Sequence, residues 1–191
     1  MQTLLSRCRY FLLLSGSFFA LNIFAVDVIK ELDYDQYSGT WYEIARFPNK
    51  HEKGMVEVTS TFKRRKDGRY EIINEGYKGS RGGKKTSVKG LVQVPDPKIA
   101  GNMKIRVWFF TIDYRVIDVD KENYEYALVT SESDRYLWIF CKSPFMDPDV
   151  YEKLVASARE KGFDTDRLER VPQDANCAIV ERQKESGITG S

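Results

Sequence analysis

The chain has 191 residues, with 30 lysines and arginines against 28 aspartates and glutamates. Arg7 and Arg9 account for the whole excess, because residues 1–25 contain no acidic side chain. The rest of the chain is electrically balanced and has no net attraction for nucleic-acid phosphates. The single histidine, His51, excludes histidine clusters and the HExxH zinc motif. The length beyond residue 25 suits one domain with its own hydrophobic core.

The first 25 residues are typical of a secretory signal peptide. Arg7 and Arg9 precede an apolar stretch that ends at Ala25. Polar residues interrupt this stretch, which is short for a membrane span of roughly 20 residues. Cys8 comes before the stretch, so it is not the lipid-modified cysteine that ends a lipoprotein leader. We therefore predict an exported protein, periplasmic or secreted and soluble after cleavage, without a lipobox. An uncleaved N-terminal anchor is the alternative.

Apolar and polar side chains alternate from about residue 40 to residue 142, which is the pattern of strands with one face away from water. Turn-forming sequences separate the runs at residues 66–68, 80–83, 95–97, 120–123 and 131–134. This spacing predicts an antiparallel sandwich or barrel. The inward positions include many aromatic residues together with Ser60, Asn74 and Gly90. Such a mixture favours a cavity over a packed core.

One helix is predicted after the strands. Asp147 is a good N-cap, Pro148 suits the first helical position, and Gly162 suits the residue just past the end. One apolar stripe runs along this segment, formed by Tyr151, Leu154, Val155 and Ala158. We expect the stripe to cover the outer sheet face formed by Ala127, Val129, Leu137, Ile139 and Cys141. A last short strand is expected near residues 168–171 or 178–181.

The segment 37–46 carries Gly39 and Trp41, followed by the run Tyr-Glu-Ile-Ala. This Gly-x-Trp motif with its following residues closely resembles the first conserved region of the lipocalins. The resemblance is greatest to the branch that holds bacterial outer-membrane lipocalins and apolipoprotein D. Further similarities to the family follow in the same order at residues 54–62, 73–77, 114–129 and 134–144. Together they span residues 32–177, nearly all of the chain after the predicted leader.

The resemblance implies an all-β fold, an eight-stranded antiparallel up-and-down β-barrel over residues 26–183. One C-terminal α-helix would pack on its outside, and a flexible tail would occupy residues 184–191. A barrel of about eight strands has room for one small ligand. The family implies a carrier of a hydrophobic molecule such as a fatty acid or lysophospholipid. Gly39, Trp41 and Lys142 would form its structural motif, with Lys142 where the family usually has an arginine across the tryptophan.

Carried over by position, Trp138 is expected to face the cavity, with Phe62 and Asn74 beside it. Alternation along the strands adds six candidates for the ligand-binding wall: Tyr70, Ile72, Val107, Phe109, Tyr126 and Phe140. Aromatic walls with a few polar atoms are typical of sites for hydrophobic ligands. For each aliphatic candidate, ordinary filling of the barrel is the competing interpretation.

An enzyme acting on a lipid is the main alternative to a carrier. It would need a positioned acid, base or nucleophile, and the candidates are Glu43, His51 and Cys141. His51 lies in a loop segment, and alternation puts Cys141 on the outer face, so we expect no enzyme. A haem or metal site needs an axial histidine or a ligand cluster, so we expect no cofactor and no metal. Cys141 and Cys177 are either free thiols or a disulfide pair.

Surface patches suggest additional partners. Basic residues at 63–66 and 81–85 are either ordinary solvated turns or contacts for anionic membrane headgroups at the barrel mouth. Nucleic acid is not expected as a partner. The alternation from Met103 continues through Phe109, which places Trp108 and Phe110 on the otherwise polar face. They predict an exposed aromatic patch that would suit a protein partner or a homodimer contact.

Overall fold

The computed structural model of the chain describes residues 26–80, 82–131 and 134–173. The predicted signal peptide, Arg81, Cys177 and the predicted C-terminal tail lie outside these residues, so the sequence-based statements about them stay predictions. Among the described residues, no helix is both long and apolar enough to cross a membrane.

A short helix, α1 (Tyr34–Tyr37), leads into the strands. The strands are β1 (Gly39–Arg46), β2 (Met55–Arg64), β3 (Tyr70–Lys78), β4 (Lys85–Gln93), β5 (Asn102–Val107), β6 (Phe110–Val119), β7 (Tyr126–Thr130) and β8 (Leu137–Cys141). They are followed by α2 (Pro148–Glu160), a 3-10 turn (Thr165–Arg167) and β9 (Glu169–Arg170).

Strands β1 to β8 form a closed barrel. Each pairs antiparallel with the next strand along the chain, and β1 also pairs with β8. This confirms the predicted eight-stranded up-and-down barrel. β9 adds to the end of β1, where Ala45 and Arg46 pair with Arg170 and Glu169. It lies at the earlier of the two predicted positions for a last strand; the later one is outside the described residues.

The up-and-down order places alternate connections at opposite ends of the barrel. Helix α1 lies at one end, which we call the closed end, together with the β2–β3, β4–β5 and β6–β7 connections. The β1–β2, β3–β4, β5–β6 and β7–β8 connections lie at the other end, which we call the open end. Arg64, the last residue of β2, forms a 3.6 Å ion pair with Asp35 of α1. The basic residues 63–66 are therefore at the closed end, and their predicted place at the mouth is wrong.

Helix α2 lies on the outside of the barrel, as predicted. The side chain of Asp147 caps it by accepting hydrogen bonds from the N–H groups of Asp149 and Val150. Gly162, with φ +89°, follows its end. The buried Leu154 and Ala158 of α2 belong to an outer apolar cluster that also contains Ile117, Leu128, Leu137, Ile139 and Cys141.

Strand β7 presents the opposite faces from those predicted. Ala127 and Val129, expected beneath the helix, belong to the interior cluster, whereas Tyr126 and Leu128 lie in the outer one. Alternation counted from Tyr124 puts Tyr126 inside, but Tyr124 adopts a left-handed conformation with φ +55° before β7 begins. Alternation starts afresh after such a residue. The prediction that Tyr126 lines the cavity is therefore wrong.

The run that begins at Met103 folds as a hairpin and not as one strand. β5 ends at Val107 and β6 begins at Phe110, so Trp108 and Phe109 form the turn. Phe109 is 82% exposed, and its predicted place in the cavity is wrong. Phe110 pairs with Val107 and shares its inner face, which corrects the outer position predicted for Phe110. The predicted exposed aromatic patch is nevertheless present, because Trp108 is 84% and Phe110 60% exposed.

Candidate ligand-binding cup

Aromatic side chains fill the half of the barrel next to the closed end. The ring of Tyr37 lies 4.7 Å from that of Trp41 and 5.0 Å from that of Phe62, and Phe62 lies 5.5 Å from Tyr114. The hydroxyls of Tyr37 and Tyr114 are 2.9 Å apart and share a hydrogen bond. Burial raises the pKa of both hydroxyls, so both stay neutral. We call these four buried residues the floor.

Lys142 secures the floor from outside. Its Nζ lies 4.3 Å from the centre of the Trp41 ring and donates hydrogen bonds to the carbonyls of Tyr37 and Ser38. Burial lowers the pKa of this ammonium group to about 8. Gly39 has φ +102°, and a β-carbon there would lie 3.3 Å from Nζ. The motif Gly39–Trp41–Lys142 is thus one contact unit in which lysine takes the place of the usual arginine.

Above the floor, side chains on the inner face are open to solvent. Trp41 pairs with Ser60, Ser60 with Asn74, and Asn74 with Val88, so these four share the face of the buried Trp41. Asn74 accepts a 2.7 Å hydrogen bond from Ser60 Oγ. Asn74 is nevertheless exposed, and Val88 is 42% exposed.

The opposite wall shows the same combination of inward direction and exposure. Ile112 pairs with the buried Ile105, and Phe110 pairs with Val107. Ile112 is 51% exposed although Ile105 beside it is buried. The open half of the barrel is therefore a water-accessible, mainly apolar space, which we call the cup. Its wall includes Asn74, Val88, Val107, Phe110, Ile112 and Trp138.

A polar network lies in the cup wall on β1. Arg46 donates a 2.8 Å hydrogen bond from Nη1 to the buried carboxylate of Glu43 and a 3.0 Å hydrogen bond from Nε to Glu169. Its Nη2 donates to the backbone carbonyl of Glu52 in the β1–β2 connection. The Glu52 carboxylate accepts from Trp138 Nε1 at 3.1 Å. Arg46 and Trp138 together hold the β1–β2 connection against the cup.

Burial raises the pKa of the Glu43 carboxyl well above its usual value, and the neighbouring Glu52 adds to this shift, while Arg46 opposes it. Glu43 is 1% exposed, so it stabilises Arg46 and offers no free carboxylate to a ligand. The other two candidates for catalysis do not face the cup beside it. His51 lies in the exposed β1–β2 connection, and Cys141 lies on the outer face beside α2.

A family model described as a lipocalin-like domain matches residues 32–173. The chain is a lipocalin. It is 31% identical over 150 residues to the outer membrane lipoprotein Blc of Vibrio cholerae, covering 78% of this chain and 87% of that protein. It is 27% identical over 161 residues to mouse apolipoprotein D, covering 78% and 81% of the two chains. The fold also matches the crystal structure of the cockroach allergen Per a 4, with a TM-score of 0.63 and 21% identity over 81% of this chain and 96% of that one. Members of the lipocalin family bind small hydrophobic ligands and are generally binding or transport proteins.

The predicted wall residues of this lipocalin divide between the buried interior cluster and the cup. Phe62, Ile72 and Phe140 are almost fully buried in the interior cluster, whereas Val107 and Trp138 are partly exposed at its edge. Tyr70 faces inward at the closed end, where its hydroxyl donates a 2.5 Å hydrogen bond to Asp35. Of the nine candidates only Phe109 and Tyr126 point elsewhere, and Tyr126 lies beneath the ammonium group of Lys153. A role in ligand binding stays a prediction for the others.

Sequence reasoning left four side chains out of the candidate wall. Val88 lies on the inner face, and its access to solvent could not be read from the sequence. Phe110 and Ile112 come after a turn that has no glycine or proline to mark it. Arg46 lies inside because β1 is irregular between Glu43 and Ala45, which reverses the alternation.

Proposed function

We propose that this lipocalin is exported and carries or stores one acyl-chain lipid, a fatty acid or lysophospholipid, in the cup. The observation that supports this most is the exposure of Val88, Phe110 and Ile112 on the inner face above an aromatic floor. Soluble proteins rarely leave inward apolar side chains in water unless a ligand covers them.

The apolar wall gives such a ligand enough binding energy. Burial of an acyl chain contributes about 0.8 kcal/mol per methylene, so ten methylenes supply about 8 kcal/mol before the cost of association. Asn74 and the Glu52–Trp138 pair offer polar atoms beside the apolar wall. Micromolar affinity or tighter is expected.

Titration of the mature protein with long-chain fatty acids and lysophospholipids tests the proposal. Binding is expected to change the fluorescence of Trp138 and to raise the melting temperature. Ile112→Ser is expected to weaken binding about tenfold with little loss of stability, because Ile112 is half-exposed without ligand. Thr111→Ser, on the outer face next to it, is the matched control. Unchanged emission and melting temperature with every lipid would refute the proposal.

A tryptophan pair separates ligand wall from floor. Trp138→Ala is expected to weaken lipid binding more than it lowers stability, because Trp138 is only partly buried. Trp41→Ala is expected to do the reverse, because Trp41 is fully buried and its loss costs about 3–5 kcal/mol. Similar effects of both substitutions on both quantities would contradict this division.

A further inference from the structure

Three consecutive aromatic residues form the tip of the β5–β6 hairpin at the open end. Trp108 is 84%, Phe109 82% and Phe110 60% exposed, and the rings of Phe109 and Phe110 lie 4.4 Å apart. Among the described residues, this is the largest run of exposed aromatic side chains; the other large exposed aromatic residue, Phe145, lies outside the barrel between β8 and α2. Water-exposed rings of this kind are typical of surfaces that contact a partner or a bilayer.

The hydrogen-bonded wall of the barrel is short on the side of this hairpin, because β4 extends further towards the open end than its ladder with β5. The ladder between β4 and β5 has three pairs, from Leu91–Arg106 to Gln93–Lys104. The first five residues of β4, 85–89, pair with β3 but have no partner on β5 among the described residues. This leaves an opening between the start of β4 and the hairpin tip, which we call the notch. The exposed Val88 lies on the β4 side of it and the exposed Phe110, paired with Val107, on the hairpin side. Ile112, two residues further along the inner face of β6, lies deeper in the cup.

Basic side chains flank the notch on the β3–β4 side. Residues 78–85 include Lys78, Lys84 and Lys85 and no acidic residue. Lys85 forms a 3.0 Å ion pair with Glu75, and the Lys78 ammonium group donates to the carbonyl of Lys53. Lys84 is exposed. The hairpin thus presents apolar rings beside a cationic connection. Anionic headgroups attract the lysines, and the boundary between headgroups and acyl chains favours the rings.

We infer that the β5–β6 hairpin docks the open end of the barrel on an anionic lipid bilayer, and that the notch passes an acyl chain between bilayer and cup. The passage step rests on the proposed function, whereas docking does not. Trp108 and Phe109 insert at the headgroup level, where an aromatic ring is favoured over water. Since Val88 and Ile112 continue the apolar surface inward, the acyl chain does not have to pass through water on its way to the cup.

A second copy of the protein suits the same surface less well. A two-fold contact between hairpins would bring the lysines of the β3–β4 connection close to those of the partner copy, and like charges oppose each other. Three aromatic side chains of about 150–250 Å² each also provide less than the roughly 800 Å² per partner that a stable interface buries. An anionic bilayer meets both the rings and the lysines.

Co-sedimentation with vesicles tests docking. The mature protein is expected to bind vesicles of phosphatidylcholine with phosphatidylglycerol more tightly than pure phosphatidylcholine, with an affinity that falls as salt rises. Trp108→Ser/Phe109→Ser is expected to weaken binding about tenfold or more, because it removes both exposed rings. Phe145→Ser, which removes an exposed ring away from the open end, is the matched control and should bind as the wild type does.

A lysine pair tests the electrostatic part. Lys84→Gln is expected to weaken binding to anionic vesicles about fivefold, whereas Lys66→Gln, at the closed end, should leave it unchanged. Equal binding by the hairpin variant and the wild type would overturn the inference. It would also be overturned if the wild type forms a soluble dimer, the hairpin variant is a monomer, and neither protein binds vesicles. The occupant of the surface would then be a second copy.

Transfer of a fluorescent fatty acid separates passage from binding. The hairpin variant is expected to take the probe from vesicles more slowly than the wild type, with unchanged affinity for the same probe in solution. Equal transfer rates would refute the passage step. If the wild type docks on vesicles but binds no probe in solution, the proposed function fails and docking stands.

Discussion

Gly90 lies on the inner face of β4, opposite Ile72, where the floor meets the cup. A β-carbon at this position would lie 2.4 Å from Cγ2 of Ile105 and 3.1 Å from Cγ2 of Val107. Ile105 is 4% exposed, so its neighbours restrict any movement away from a new methyl group. Gly90→Ala therefore places an extra carbon where two strands already touch.

Two effects of this substitution oppose each other. Alanine is favoured over glycine in a strand by about 0.5–1 kcal/mol, whereas overpacking of a filled core costs about 1–3 kcal/mol. Carbon atoms prefer a separation of about 3.5–4 Å, so the contact with Ile105 is severe and the cost falls in the upper part of that range. We expect the free energy of unfolding to fall by about 1–2 kcal/mol, and the melting temperature by about 2–8 °C.

Urea unfolding followed by circular dichroism measures this change, and a double-mutant cycle assigns it to the contact. Ile105→Ala alone leaves a cavity and is expected to cost about 2–5 kcal/mol. In the double variant the alanine at 90 occupies part of that cavity, so the combined loss is smaller than the sum by about 1 kcal/mol or more. Val88→Ala, on the same face of β4 but exposed, is the control and should change stability little.

Two results would refute this reasoning. If Gly90→Ala is as stable as the wild type, the wall yields to the new methyl group without cost, and the strands at the base of the cup are not tightly packed. If the losses from Gly90→Ala and Ile105→Ala simply add, the cost of Gly90→Ala arises elsewhere.

Three further predictions concern charge and capping. Burial holds the pKa of Lys142 at about 8, below its usual 10.5, so the unfolded chain binds more protons than the folded protein between these two pH values. The free energy of unfolding should therefore rise as the pH rises from 8 towards 10.5. Lys142→Met should abolish that rise in urea titrations. The pKa of Glu43 is raised, so the folded state holds its proton longer, and stability should fall as the pH rises above about 4.5. Glu43→Gln should flatten that part of the pH profile, and a profile as steep as that of the wild type would contradict the assignment. Asp147→Ala removes two hydrogen bonds at the start of α2 and should cost about 1 kcal/mol in thermal unfolding, whereas Asp149→Ala, which caps nothing, should cost less.

Local sequence was a reliable guide wherever one pattern ran without interruption. The strands containing Phe62, Ile72 and Ile105 place these side chains inside, because strict alternation reports which face avoids water. The helix was predictable from Asp147 to Gly162, because both caps are local hydrogen-bonding signals. The contact of Trp41 with Lys142 followed from a resemblance in which Gly39, Trp41 and Lys142 keep their order.

The errors occur where the backbone departs from regular extension. Tyr124 adopts φ +55° and Trp108 φ +49°, conformations that side-chain type alone does not announce in these residues. Each departure shifts the alternation that follows it. This is why Tyr126 lies on the outside and Phe109 at a hairpin tip.

The sequence by itself determined an antiparallel sandwich or barrel with an outer helix and an aromatic interior, because alternation, turns and caps depend on neighbours along the chain. The choice of an eight-stranded barrel came from the family resemblance. Only the tertiary structure decided how that interior is divided between a packed floor and an open cup. It also decided which basic turn is at the open end and where the wall falls short beside the aromatic hairpin. These features depend on how far each strand extends relative to the next, and strand register is set by contacts between residues far apart in sequence.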